Sequence, residues 1–150
     1  MIILDTNVMS ELMKTLPDKV VFDWVASFPK ASVYTTAISV GEIRYGIAIL
    51  YSGKRRRDLH EEAEEMFVVD FADRILPFDH AAAEAYATIA ADRRQRGQPI
   101  SQSDAQIAGI VRSRGAILAT RNARDFRDCG FDVIDPWSTP PRSAPASPPR

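Results

Sequence analysis

Met1-Ile2-Ile3-Leu4-Asp5-Thr6-Asn7 opens the chain. Its apolar run, Met1–Leu4, has no polar interruption and reads as a short strand buried on both faces. Such strands belong to parallel sheets covered by helices. Asp5 closes the run, and Thr6 or Asn7 is placed to cap a helix over Val8–Lys14. The same order of apolar run, polar residue and helix recurs down the chain. Ser32–Thr36, rich in Val, Tyr and Thr, reads as a second strand, and Arg74–Pro77, Ala116–Ala119 and Asp132–Asp135 as three more.

The intervening segments read as helices. One starts at Pro17-Asp18 and turns Val21, Trp24, Val25 and Phe28 inward. Another is opened by Glu42, with Ser39 three residues before it in the spacing of a capping box. Lys54–Val69 is amphipathic. Asp79 caps a helix over His80–Arg96 whose Ala-rich face includes Ala83, Tyr86, Ala87 and Ala90. Ser101 or Ser103 begins the next, and Gly115 ends it. Strands alternating with helices predict an α/β fold, a three-layer α/β/α sandwich around a mainly parallel sheet.

A chain of 150 residues is long enough for one domain with a real core. Residues 1–137 carry the fold. Residues 138–150, with Pro140, Pro141, Pro145, Pro148 and Pro149, have a composition that predicts a disordered tail. Net charge is −1, so no overall basic field announces nucleic acid. Three local basic groups stand out: Lys54–Arg57; Arg93, Arg94 and Arg96; and the series Arg112, Arg114, Arg121, Arg124 and Arg127. Each reads as a solvated helix end or as part of a surface for a phosphate-bearing partner. His60 and His80 are isolated and read as surface or cap residues. Cys129 is the single cysteine, which excludes an internal disulfide framework. The start lacks the pattern of a signal peptide, and no apolar run approaches the roughly 18 residues of a membrane span. The expectation is a cytoplasmic protein with no membrane partner.

Acidic residues mark the strand ends and helix starts. Asp5 follows the first strand, Glu42 the second, and Asp104 the turn at Gly97–Pro99, while Asn122 and Asp125 follow the run Ala116–Ala119. In parallel α/β sheets the carboxyl edge is the usual place for chemistry. Carboxylates meeting there need a cation to be tolerated. A divalent metal is the simplest cation, and phosphodiester hydrolysis its simplest use.

Ile2-Ile3-Leu4-Asp5-Thr6-Asn7, Ser39-Val40-Gly41-Glu42, Asp104-Ala105-Gln106-Ile107-Ala108 and Thr120-Arg121-Asn122 with Asp125-Phe126 together resemble the PIN-domain nucleases. The resemblance covers residues 1–137 and is nearest to the VapC-type toxins, within them the FitB-like group, which Arg74–Asp79 supports. It implies an Mg²⁺- or Mn²⁺-dependent endoribonuclease, the toxin of a type II toxin–antitoxin pair, leaving a 5′-phosphate and a 3′-hydroxyl. Asp5, Glu42 and Asp104 match the family's acidic positions. Asn122 stands where an aspartate is usual, and Asp125 is placed to supply the missing charge. The resemblance therefore implies catalytic roles for Asp5, Glu42, Asp104 and Asp125, and metal ligation by Asp5, Glu42, Asp104 and Asn122. Thr6, Asn7, Ser39 and Thr120 fall in supporting positions, with Arg121 and Arg124 offsetting repulsion between the acids and phosphate.

The implied partners are RNA, a cognate antitoxin and a second copy in a homodimer or toxin–antitoxin hetero-oligomer, with promoter DNA reached only through the antitoxin. Hydrophobic surfaces on Val8–Lys14 and Ala48–Leu59 are the candidate antitoxin contacts. Two other readings stay open: a weak or inactive PIN-like interaction module, and a metal-dependent nuclease or phosphatase acting on substrates other than RNA.

Overall fold

The structure, a computed structural model, describes residues 1–143. Among them five strands form one sheet: β1 (Ile2–Leu4), β2 (Val33–Thr36), β3 (Ile75–Leu76), β4 (Ile117–Ala119) and β5 (Val133–Ile134). Their order is β3-β2-β1-β4-β5, and the pairings are parallel. β1 is central, with Ile3 opposite Tyr34 on one side and Leu118 on the other. The helices are α1 (Thr6–Leu12), α2 (Lys19–Ala26), α3 (Ala37–Ala48), α4 (Lys54–Glu64), α5 (His80–Gln95) and α6 (Gln102–Ser113).

Alternation along β1 builds the three layers. Ile2 and Leu4 join a core with Val8, Met9, Trp24 and Ile43, whereas Ile3 joins a second core with Ile89, Ile107, Ile110 and Leu118. Side chains one apart on a strand point to opposite faces. Helices α1–α4 therefore cover one face and α5–α6 the other. Ile3 and Leu4 are completely buried, each worth about 1.5–3 kcal/mol of apolar transfer. The sandwich and the parallel sheet are as the sequence predicted.

Several elements differ from expectation. α1 starts at Thr6 because Asp5 is its cap, accepting the Thr6 N–H, rather than Thr6 or Asn7 capping a later start. Lys54–Val69 is not one α-helix. It is α-helical to Glu64 and π-helical over Glu65–Asp70. The wider turn turns Phe67 into the core and leaves Val68 and Val69 outside. The inward face of α5 is Ala82, Ile89 and Arg93, whereas Ala87 of the expected face is exposed.

That rotation is set by α6. A Cβ on Gly109 would stand 2.5 Å from Ala82 O and 3.0 Å from Tyr86 Cβ, so the two helices approach where only glycine fits. Gly109→Ala gains about 1 kcal/mol of helix propensity but overpacks a backbone contact at about 1–3 kcal/mol. A net loss of up to about 2 kcal/mol is expected in urea unfolding at pH 7.

Trp137 packs against the first core, and its N–H donates to Asp135 Oδ1 at 2.9 Å. Beyond the expected boundary at residue 137, Arg142 lies over the Phe28 ring at 5.5 Å, and its N–H donates to Ser27 Oγ at 3.2 Å. The remainder of the expected tail, residues 144–150, lies outside the described residues. Among the described residues no helix is long and apolar enough to cross a membrane.

Candidate functional site

β1 and β4 are neighbours, and the chain leaves β1 toward one face of the sheet but reaches β4 from the other. Such a switch point opens a crevice at the carboxyl edge. Asp5 follows β1 there and Thr120 follows β4. Asp5 is only 4% exposed. Its Oδ1 accepts the Thr6 N–H at 2.8 Å, and its Oδ2 accepts from Thr120 Oγ1 at 2.6 Å and Asn7 Nδ2 at 3.3 Å. Thr120 Oγ1 in turn accepts the Asn122 N–H at 3.1 Å, while Asn7 Oδ1 accepts the Arg121 N–H at 3.1 Å. Asn7 and Thr120 thus tie the loop after β4 to the end of β1. Burial pushes the Asp5 carboxyl up to about 6 against these bonds, and the charges of Asp104 and Glu42 push the same way.

Glu42 does not open α3. Thr36 is the cap, accepting the Ser39 N–H at 3.0 Å, and Glu42 lies in the second turn. The capping-box reading therefore fails: Ser39 receives the cap. Thr36 Oγ1 is 3.2 Å from Ser39 Oγ, which is 3.0 Å from Thr6 Oγ1, which is 2.6 Å from Glu42 Oε2. Each hydroxyl has one proton, so the chain runs Thr36 to Ser39 to Thr6 to the carboxylate. Three side chains from three elements fix Glu42 across the crevice from Asp5.

Asp104 occupies the first turn of α6, where Ser101 Oγ accepts its N–H at 3.2 Å. Burial raises its carboxyl above the usual range. The charges of Asp125 and Glu42 add to this, and Arg93 opposes it. Asp5, Glu42, Asp104 and Asp125 therefore share one electrostatic field. No three Asp, Glu, His or Cys side chains among the described residues stand close enough to form a ready metal cage.

Asp125 is exposed on the short 3₁₀ turn Ala123–Phe126, and Asn122, just before it, is also exposed, with only its backbone N–H tied to Thr120. Arg121 lies over the Trp137 ring at 4.8 Å, and Arg124 is exposed. The histidines remain apart: both are exposed, and His80 lies 3.4 Å from Glu84.

Arg93 is the residue that the sequence reading missed. Grouped there with solvated helix ends, it is 6% exposed. Its Nε donates to Gln98 O at 2.7 Å, and its Nη1 to Asp125 O and Arg127 O, each at 2.9 Å. Cys129 Sγ lies 3.7 Å from Nη1, and burial raises that thiol. The signal was present in the spacing: Ala82, Tyr86, Ile89 and Arg93 step by four, three and four, the inward stripe of α5.

Two further cavities are lined by none of the crevice acids. α1 turns Val8 and Met9 into the core, and leaves Leu12 beside Phe22, Val25 and Phe28 around an apolar cavity of about 480 Å³. The surface at Ala48–Leu59, expected to be hydrophobic, exposes Ile49 and Tyr51 and borders a cavity of about 630 Å³ whose lining mixes Ile47 and Ala48 with Arg44, Arg56, Arg57 and Glu61.

The PIN domain family model matches residues 2–132, which contain β1–β4, the six α-helices and the acids Asp5, Glu42, Asp104 and Asp125. The chain belongs to the PIN-domain family. Two relatives place it near the VapC and FitB toxins of that family. The VapC ribonuclease Y4jK of Sinorhizobium fredii is 39% identical over 91% of this chain and 98% of its own length. Toxin FitB of Neisseria gonorrhoeae is 39% identical over 91% of this chain and 99% of its own. A structure of FitAB bound to an IR36 DNA fragment superposes with a TM-score of 0.85 at 38% identity, covering 93% of this chain and 97% of that one. The resemblance carried by the acids thus extends over the whole PIN fold.

Proposed function

We propose that this PIN-domain chain is an Mg²⁺- or Mn²⁺-dependent endoribonuclease and the toxin of a type II toxin–antitoxin pair. The observation that carries the reading is the acidic crevice at the switch point, where Asp5 is buried, hydrogen-bonded on both oxygens and raised to about 6. A buried carboxylate held by hydrogen bonds on both oxygens, with the charges of Asp104 and Glu42 nearby, fits a site for a cation. The donors are hard oxygens, as these ions require. Mg²⁺ keeps several of its waters and is held by one or two carboxylates together with substrate phosphate, so a closed protein cage is not needed.

Asp5 and Asp104 would hold the ion, with Glu42 joining directly or through water. Asp125 supplies charge beside Asp104, and Asn122 contributes no charge to a second ion. The bound ion would polarise a phosphate oxygen and lower the pKa of an attacking water. The residues fix where this happens: Thr120 and Asn7 hold Asp5, and the hydroxyl chain through Ser39 and Thr6 holds Glu42. Arg121 and Arg124 stand on the β4 side, where phosphates leaving the crevice pass. The cognate antitoxin fits the apolar cavity between α1 and α2, which offers Leu12, Phe22, Val25 and Phe28 to an amphipathic segment. A homodimer or toxin–antitoxin hetero-oligomer, reaching promoter DNA only through the antitoxin, completes the proposed assembly.

The test pairs calorimetric Mg²⁺ and Mn²⁺ titration with cleavage assays on single-stranded RNA, single-stranded DNA and a phosphomonoester. RNA cleavage that EDTA abolishes and Mg²⁺ restores is expected. Metal binding without turnover of any substrate would assign the chain to an inactive interaction module, the reading that the neutral Asn122 favours. Turnover of DNA or the monoester alone would assign it to other phosphoesters.

A further inference from the structure

Trp137 and Arg121 meet at the carboxyl edge of the sheet, and their side chains take no part in holding the acids. β5 pairs with β4, and the Thr120 N–H donates to Ile134 O at 2.9 Å. Trp137 therefore follows β5 at the edge where Arg121 follows β4. Pro136 is buried, and the Trp137 N–H donates to Asp135 Oδ1 at 2.9 Å, so the turn that carries the indole is fixed. The half-buried ring packs against the first core and has the Arg121 guanidinium 4.8 Å from its centroid. Three other arginines lie over rings among the described residues, and two of them have further partners. Arg44 is paired with Glu64, and Arg74 donates to Lys30 O, Val33 O and Asp70 O. The third, Arg142, lies over Phe28, beyond the end of α2. Arg121 is exposed, and among the described residues its guanidinium has no ion pair and no hydrogen-bond acceptor. A planar cation thus rests on an indole, and the ring is what ties it down.

The backbone of Arg121 belongs to the crevice. Its N–H donates to Asn7 Oδ1 at 3.1 Å, and Asn7 Nδ2 donates to Asp5 Oδ2 at 3.3 Å. Thr120, the residue before it, donates to the same Asp5 oxygen at 2.6 Å. A strand with a phosphate at Asp5 has the Arg121–Trp137 stack as its next neighbour on the β4–β5 side. Unpaired bases stack on aromatic rings and on guanidinium planes, and such stacking accepts any base because each has a π face. A free arginine loses rotamer freedom when it presents its plane, and one already laid on a ring loses less. We propose that the Arg121–Trp137 stack is a platform for an unpaired base of the RNA strand held at the acidic crevice, with the base on the guanidinium plane and Trp137 beneath it. The strand itself comes from the ribonuclease reading above, on which the platform rests. The platform adds a contact to a base where that reading has contacts to phosphate only.

The experiment compares two fluorescent single strands of equal length and charge, an oligouridylate and the same backbone with abasic sites. Binding to the full chain is read by anisotropy in EDTA, so that no cleavage intervenes. Wild type should prefer the oligouridylate by about tenfold. Arg121→Lys keeps the charge and loses the plane. Its preference should fall to within about twofold while the salt slope stays that of wild type. Trp137→Leu removes the ring beneath the plane and should lower the preference in the same way. Circular dichroism checks that both variants fold. Trp137 packs on the core, so Arg121→Lys, at an exposed position, decides alone where Trp137→Leu does not fold. Equal affinity of wild type for the two strands overturns the platform, and so does binding to neither. A preference that survives Arg121→Lys also overturns it. A preference lost in Arg121→Lys, in a wild-type chain that cuts no RNA under Mg²⁺, keeps the platform and removes the ribonuclease reading. Cleavage under Mg²⁺ without any base preference removes the platform and keeps that reading.

Discussion

Asp5→Asn is expected to lower the proposed Mg²⁺-dependent RNA cleavage by at least about 100-fold while leaving the fold intact. Disturbing even the partners of a metal ligand costs about 10–100-fold, and this substitution removes the charge at the centre of the crevice. Its effect on stability has the opposite sign. The buried Asp5 carboxyl titrates near 6 instead of 3.8, so its ionised form opposes folding of the metal-free chain by about 3 kcal/mol at pH 7. Asparagine removes that cost and loses about 1 kcal/mol of hydrogen bonding, because its amide meets Asn7 Nδ2 where Oδ2 accepted a bond. The variant should therefore be more stable at pH 7 in EDTA by about 1–2 kcal/mol.

The pH dependence follows from a carboxyl whose folded pKa lies above its unfolded value. Protonation of Asp5 favours the fold, a contribution fully present below 3.8 and lost as pH rises through about 6. Asp104, also raised, works in the same direction. The stability gap between Asp5→Asn and wild type should be widest above pH 6 and should close toward pH 4. Urea unfolding in EDTA at several pH values measures it. A variant that keeps full activity refutes the catalytic role, and a gap constant with pH refutes the electrostatic account.

Arg93→Met is the second large effect. One guanidinium satisfies carbonyls of Gln98, Asp125 and Arg127, joining the end of α5 to the turn that carries Asp125. Methionine fills similar volume but donates nothing. Residues Gln98, Asp125 and Arg127 are themselves exposed, so water replaces part of what is lost, and a destabilisation of about 2–4 kcal/mol is expected. Lysine keeps the charge without the planar fork and should recover less than half. Hydrogen exchange should show faster opening over residues 122–129 than elsewhere. Unchanged protection there would refute the latch.

The acids of the crevice were legible because each sits beside a local signal. Asp5 ends an apolar run, and Asp104 lies three residues after Ser101, which caps α6. Glu42 was singled out as an acid behind the second strand and by the resemblance, while the Ser39–Glu42 spacing pointed instead to a mere cap; Thr36 caps α3, and Glu42 meets Thr6, a residue 36 positions away. The rotation of α5 was not legible, because one close approach at Gly109 sets it and helix propensity is silent about neighbours. Arg93 was hidden by composition: a basic run at a helix end looks solvated unless the opposing carbonyls are in view. Likewise, Lys54–Arg57 looked like a charged helix start until α3 packed beside it and enclosed the cavity.

The chain's own order of residues settled the α/β class, the strands, the Asp79 cap of α5, and the placing of Asp5 at a strand end and Asp104 at a helix start. These depend on hydrophobic period, capping and turn chemistry, which act over a few residues. The folded arrangement alone settled that Asp5 and Thr120 meet 2.6 Å apart, that hydroxyls from three elements hold Glu42, and that Arg93 is buried. Those outcomes depend on strand order and helix rotation, where groups distant in the chain become neighbours and burial changes both charge and partner.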